Sequence, residues 1–319
     1  MTTPTEPKSL PWCAYPAASD TKALGLQPLP ENLLVANFNS VSQYRSNRYR
    51  AVPVKNEHPG TLLEMAAVLA ASFAVNDPMN RHIHPSRNIP VSISGHLHKD
   101  ALGTTPFGPW TTENIFYWFV RLFALTSASD PMASIKINED TVRLSLAIFN
   151  TEKKVIGAAI NVTVPIEEVP MRKGDPFLEA VLVHVNPIMD LIYSQEHTAM
   201  QALQQEYPAL QKAREQGKVG MHFLVARSPE LQKDHTFELV IASAEHLQKL
   251  GFDYMVVTAT NQWTGAACEV LGATRVHFAP FRDRERVARK TAASDMEPFS
   301  SDGYLAEKDS GMFFYILKL

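Results

Sequence analysis

The clearest pattern of apolar and polar positions in the chain lies between Val219 and Ala273. Met221–Ala226 is a short unbroken apolar run, as expected of a strand buried on both faces. The polar stretch Arg227–His235 follows. Phe237, Val240, Ile241, Ala244 and Leu247 then recur at helical spacing up to Gly251, a natural C-cap. Tyr254–Ala259 reads as a second buried strand, and a short helix from about Gln262 to Leu271 closes against Gly272. Strand, helix, strand, helix at this spacing makes a βαβ unit with parallel strands and a right-handed crossover.

Upstream, residues 60–75 place Leu62, Leu63, Met65, Ala66, Leu69, Ala70 and Phe73 on one side of an amphipathic helix that Asn76-Asp77-Pro78 stops. Thr111–Ser127 predicts a strongly apolar helix with Thr111 or Thr112 as its cap. Its Phe116, Tyr117, Trp118, Phe119 and Phe123 suit a core, or one wall of an apolar pocket. From Ser134 the period changes to two. Ile135–Ile137, Val142–Ile148 and Val155–Val164 predict consecutive strands of an antiparallel meander. Residues 176–216 read as helix, broken near Tyr207-Pro208, and Thr274–Phe278 and Gly311–Leu319 as closing strands. Residues 1–54, rich in Pro, Ser, Asn and Thr, predict an irregular N-terminal arm lying along one domain, 55–319, with insertions at about 79–130 and 170–217.

Composition narrows the functional classes. A net charge of −3 and a pI of about 6.4 provide no basic field for nucleic acid. Two cysteines, Cys13 and Cys268, make no disulfide framework and fit a reducing compartment. No apolar run approaches the roughly 18 residues of a membrane span, and the first residues lack the basic and apolar regions of a signal peptide. The expectation is a cytoplasmic protein with neither nucleic-acid nor membrane partners. Arg45, Arg48 and Arg50 suit a solvated arm or a phosphate contact. On a strand each of the pairs His82/His84 and His96/His98 would share one face, which suits a metal site, or else surface or acceptor-pocket histidines. Asp100 alone is near, and no metal is expected.

Pro229-Glu230-Leu231-Gln232-Lys233-Asp234-His235-Thr236-Phe237 falls in register with a loop Pro-x-x-(Gln/Arg)-x-x-Gly-x-Gly, and Asn261 to Ala273 matches in length a segment Asn-x-x-Ala-x-x-Leu-Tyr-x-x-x-Gly-Phe. These are the two signature places of the GNAT acyltransferase superfamily, which the chain resembles. Ile156-Gly157-Ala158-Ala159 also resembles the family's (Val/Ile)-Gly-x-Ala strand, and residues 60–75 its opening helix. The resemblance covers about residues 60–319. It implies an α+β fold of α/β/α layers: a GNAT-like mixed, mostly antiparallel central sheet with a parallel βαβ donor-binding unit and helical insertions.

The implied activity is transfer of an acyl group, acetyl in the first instance, from acyl-CoA to an amine or hydroxyl acceptor on a small molecule or protein. The alternatives are a GNAT-fold protein acting on another thioester, by an acyl carrier or by decarboxylation, and a non-catalytic binding protein. In the family the acyl-CoA pyrophosphate rests on N–H groups at a helix start, where the dipole favours an anion. Carried onto this chain, the resemblance assigns donor binding to Leu224, Val225 and Ala226, to Gln232, Lys233, Asp234, His235, Thr236 and Phe237, and to Asn261. His235 and Phe237 replace both loop glycines, so the loop either keeps its geometry and binds CoA more weakly or is filled by protein. Cys268 stands where the family places its general-acid tyrosine. It suits an acid, a nucleophile or a small buried packing residue. His222, the ionisable residue nearest the middle of the donor strand, has an ordinary pKa near ~6.5 that suits a base, if it is not simply a core histidine. The apolar insertions suit an acceptor pocket or a homodimer face.

Overall fold

The computed structural model describes residues 29–46, 48–54, 59–76, 99–100, 103–104, 112–121, 139–164, 185, 192, 196, 199–232, 235–280 and 311–319. Its strands are β1 (Ala51–Pro53), β2 (Lys99–Asp100), β3 (Gly103–Thr104), β4 (Leu146–Phe149), β5 (Val155–Thr163), β6 (Val219–Arg227), β7 (Tyr254–Ala259), β8 (Thr274–Pro280) and β9 (Gly311–Lys318). Its helices are α1 (Pro59–Asn76), α2 (Thr112–Phe119), α3 (Glu139–Leu144), α4 (Pro208–Glu215), α5 (His235–Lys249) and α6 (Gln262–Val270).

Seven strands form one sheet in the order β1-β4-β5-β6-β7-β9-β8. Neighbours are antiparallel except β6 and β7, which run parallel through the crossover helix α5. Both faces are covered. Val219, Met221, Tyr254 and Val256 share a core with Met65, Leu69, Ile115 and Trp118 of α1 and α2. Met255, Val257 and Ala259 pack with Val240, Ile241 and Ala244 of α5 and Ala267 and Cys268 of α6. The result is the three-layer α/β/α arrangement that the sequence predicts, with a mixed, mostly antiparallel sheet.

Local chemistry sets the element ends. Gly251 and Gly272, at φ 85° and 83°, take the left-handed conformation that ends α5 and α6, where a side chain would be strained. Asn261 caps α6 by accepting from Trp263 N–H at 3.1 Å and Thr264 N–H at 3.0 Å. One expected strand is shorter than its alternation suggests. Val142–Leu144 belongs to α3, whose first turn carries Glu139 and Asp140 beside the positive end of the helix dipole, and β4 begins only at Leu146. The expected His82/His84/His96/His98 cluster and the strand Ile135–Ile137 lie outside the described residues. No helix among the described residues is long and apolar enough to cross a membrane.

The N-terminal segment straps the outer face of the βαβ unit. Ala36 N–H bonds Lys318 O beside β9, Asn37 N–H bonds Leu271 O at the end of α6, and Val41 is fully buried against the α5–α6 core. The strap then crosses the first turn of α5 and ends as β1 on the free edge of β4.

Candidate active site

β6 and β7 pair only from Val219–Tyr254 to His222–Val257. Ile160 of β5 then faces Leu224, whereas Asn161 faces His222, so Phe223 is an extra residue on β6. Such a bulge bends its strand and increases its twist. Beyond it β6 follows β5 to Arg227 while β7 follows β9 to Ala259. The two strands part into a V whose closed end is the His222–Val257 pair. Burial marks the opening. Phe223, Leu224 and Val225 are half-buried after four buried residues, and Thr258 is the one half-buried residue of β7.

His222 faces the α5 side of this closed end. Its Nδ1 lies 2.9 Å from Asn161 Oδ1, while the Asn161 amide nitrogen donates to Leu144 O at 2.8 Å and to Ser243 Oγ of α5 at 3.1 Å. Oδ1 is therefore left to accept, which puts the imidazole hydrogen on Nδ1 and leaves a lone pair on Nε2. Nε2 is buried without a hydrogen-bond partner among the described residues. Burial lowers the His222 pKa to about 4, so the ring is neutral at pH 7.

On the other face of the sheet a carboxylate closes the same end. Alternation along β7 puts Thr258 on the side of Tyr254 and Val256, toward α1. Its hydroxyl donates to Glu196 Oε1 at 2.6 Å. Glu196 is 6% exposed, and burial raises its pKa to about 7, against a smaller lowering by the Thr258 hydrogen bond. The sequence offers no signal that separates Glu196 from the other carboxylates of its helical stretch. Asn161, a lone amide in the apolar run Val155–Val164, does stand out as a polar residue that needs a partner.

The loop between β6 and α5 is held without glycine. Ser228 N–H bonds Ile156 O at 2.7 Å, Leu231 N–H bonds Ser228 O, and Arg227 Nη1 donates to Leu231 O. Lys153, in another turn, is the one non-glycine residue with positive φ among the described residues, so His235 and Phe237 keep ordinary backbone angles. The strap takes up their side chains. Tyr44 stacks on Phe237 at 5.4 Å, Tyr49 meets His235 edge-on, and Ser46 Oγ lies 3.2 Å from His235 Nε2. Beneath them the fully buried Glu238 accepts from Ser46 N–H, Ala51 N–H and Arg45 Nη2, and Arg45 also reaches Glu245. Arg45 thus serves an internal ion pair. Arg48 lies over the Tyr49 ring, and Arg50 is 3.7 Å from Glu238.

Leu224, Val225 and Ala226 line one arm of the V, and Gln232, Thr236 and the backbones of His235 and Phe237 border its loop. Lys233 and Asp234 lie outside the described residues. Asn261 stands just past the other arm, its side-chain oxygen spent on the α6 cap. Cys268 lies apart from the V's surface, 1% exposed in the α5–α6 core. Burial pushes its thiol well above the ordinary range and neighbouring Glu269 adds to this, so its surroundings suit packing rather than proton donation.

The meander, the parallel βαβ unit opening at a bulge and the antiparallel closing pair define a GNAT-type fold. Comparison with protein-family models finds no match, and no curated protein matches the sequence. Among solved structures the chain is similar to the C-terminal condensation domain of Ebony in complex with beta-alanyl-dopamine, at 12% identity and TM-score 0.48, over 85% of this chain and 99% of that one. It is similar to arylalkylamine N-acetyltransferase 2 from Aedes aegypti, at 13% identity and TM-score 0.45, over 85% and 99%. It is also similar to the NatC complex bound to Gag peptide and CoA, at 10% identity and TM-score 0.36, over 85% and 99%.

Proposed function

We propose that the protein transfers an acyl group, acetyl in the first instance, from an acyl-CoA thioester to an amine. The observation that carries this reading is the V between β6 and β7, opened by the Phe223 bulge and closed at His222–Val257. An extended donor fits between diverging strands, where Leu224, Val225 and Ala226 present a half-open edge. The start of α5 supplies first-turn N–H groups and the positive end of a dipole for its phosphates. The strap supports this fit, because the bulky side chains of His235 and Phe237 are engaged by Tyr44, Ser46 and Tyr49. Gln232, Thr236 and Phe237 would border the pyrophosphate. When bound, the donor supplies an acyl carbon activated by its bond to sulfur.

The chain's own residues hold and orient. Asn161 fixes the His222 ring, whose Nε2 is a hydrogen-bond acceptor on the α5 side of the closed end. Cys268 packs α6 beneath it. The replaced glycines and the buried thiol motivate the second reading, in which another thioester is used or the fold only binds a partner. Calorimetric titration with acetyl-CoA and with free CoA separates the two. Micromolar affinity, followed by thiol release with an amine panel, supports the acyltransferase. Absence of binding up to millimolar ligand sinks it.

A further inference from the structure

The donor strand carries no carboxylate. Toward α1 it presents Met221, Leu224 and Ala226, with Phe223 packed on the same core, and its one ionisable residue before Arg227, His222, faces α5. The proton acceptor that amine acylation requires must therefore come from elsewhere.

Glu196 meets the geometric requirements. It bonds Thr258, the first β7 residue beyond the last β6–β7 pair, and so stands over the closed end of the V where the reacting end of a donor would arrive. Thr258 engages Oε1, and among the described residues none bonds Oε2. No ion pair reaches Glu196 among the described residues, and no neighbouring charge contributes to its raised pKa. A buried carboxylate bonded, among the described residues, to a neutral hydroxyl alone is costly to ionise, which makes it a strong proton acceptor once it is charged.

We infer that Glu196 is the catalytic residue that takes the proton of the acceptor ammonium, and that Thr258 is the positioning residue that aims its carboxylate. This rests on the acyltransferase reading. One ammonium proton passes to Oε2, and the freed nitrogen lone pair forms the C–N bond as the C–S bond breaks. The sulfur keeps the electron pair of that bond and takes the second nitrogen proton, giving amide and free thiol. Glu196 then releases its proton to solvent.

The test measures amine acylation against pH in the wild type, Glu196→Gln, Glu196→Asp and Thr258→Val, with CoA affinity by calorimetry as the check on folding. The wild-type kcat/KM should rise through a limb near pH 7. Glu196→Gln should bind CoA as the wild type does, lose roughly 10²- to 10⁴-fold in kcat and lose the limb. Glu196→Asp should recover part of the rate and keep the limb. Thr258→Val should move the limb upward, because its hydrogen bond lowers the carboxyl pKa. Acyl transfer by Glu196→Gln at the wild-type rate with an unchanged limb overturns the role of Glu196 alone. A wild type that neither binds CoA nor releases thiol overturns the acyltransferase reading, and this role with it.

Discussion

Truncating Glu238 to alanine tests whether the strap is integral to the βαβ unit. The carboxylate is fully buried and accepts from three donors, Arg45 Nη2 at 3.2 Å, Ser46 N–H at 3.2 Å and Ala51 N–H at 3.0 Å, with the Arg45 Nε charge 2.8 Å away. The Nε and Nη1 approaches lie off the N–H directions and act as charge contacts. Glu238→Ala leaves a guanidinium whose side chain is 14% exposed with only the partly exposed Glu245, and leaves two backbone N–H groups without their acceptor. Breaking one side of a buried pair costs about 3–5 kcal/mol. We expect about 4 kcal/mol here, because water reaches the Glu245 side and offsets part of the loss. In a domain of this size that lowers Tm by about 8 °C. Urea unfolding of Glu238→Ala, Arg45→Met and the double variant Arg45→Met/Glu238→Leu measures it. The double variant should recover at least half of the loss, since replacing both ions removes the unpaired charge. A cost below about 1 kcal/mol for Glu238→Ala, or strictly additive single and double variants, would refute the view that this carboxylate anchors the strap.

Two buried groups give opposing pH dependences of stability. The His222 pKa is depressed from 6.5 to about 4, so its contribution is complete above pH 6.5 and is lost as pH falls through about 4. The Glu196 pKa is raised from 4.5 to about 7, so its contribution is complete below pH 4.5 and is lost as pH rises through about 7. Each is worth about 3 kcal/mol over its window. Unfolding of Glu196→Gln should therefore show stability falling more steeply on acidification below pH 6.5, and His222→Gln should show the reverse slope. A wild-type slope in both variants contradicts the assignment. Cys268, on a Cys13→Ser background, should resist thiol reagents at pH 8 until the protein unfolds, and Cys268→Ala should acylate at close to the wild-type rate; rapid labelling of the native protein would argue against its place in the core. Gly311→Ala should cost about 3 kcal/mol in a denaturant melt, because a Cβ there would lie 2.5 Å from Ala279 O and from Phe278 Cε2. A neutral result would mean that β8 and β9 shift apart more easily than their pairing suggests.

Local codes in the chain were enough to read the βαβ unit. Tyr254–Ala259 is a strand with the predicted bounds, and Gly251, Gly272 and Asn261 end or begin helices where their backbone and side-chain chemistry requires. The Val142–Ile148 alternation misled because a three-residue stretch at period two is equally compatible with one turn of helix. The Phe223 bulge depends on the register of β5 against β6, which no short-range pattern encodes. Glu196 becomes distinctive only when its helical stretch meets Thr258, 62 residues further on. The strap's polar residues read as solvated in isolation, since their partners lie nearly two hundred positions away.

That separation has a consequence for the newborn chain. Arg45 and Glu238 are 193 residues apart, so at 5–20 residues per second the arm leaves the ribosome roughly 10–40 s before its anchor exists. Through that interval Tyr44 lacks Phe237, Tyr49 lacks His235 and Val41 lacks the α5–α6 core, and β1 has only β4 to join. Docking of the arm is thus a late event in biogenesis, and a ribosome that stalls before α5 leaves exposed the aromatic and apolar groups that chaperones bind.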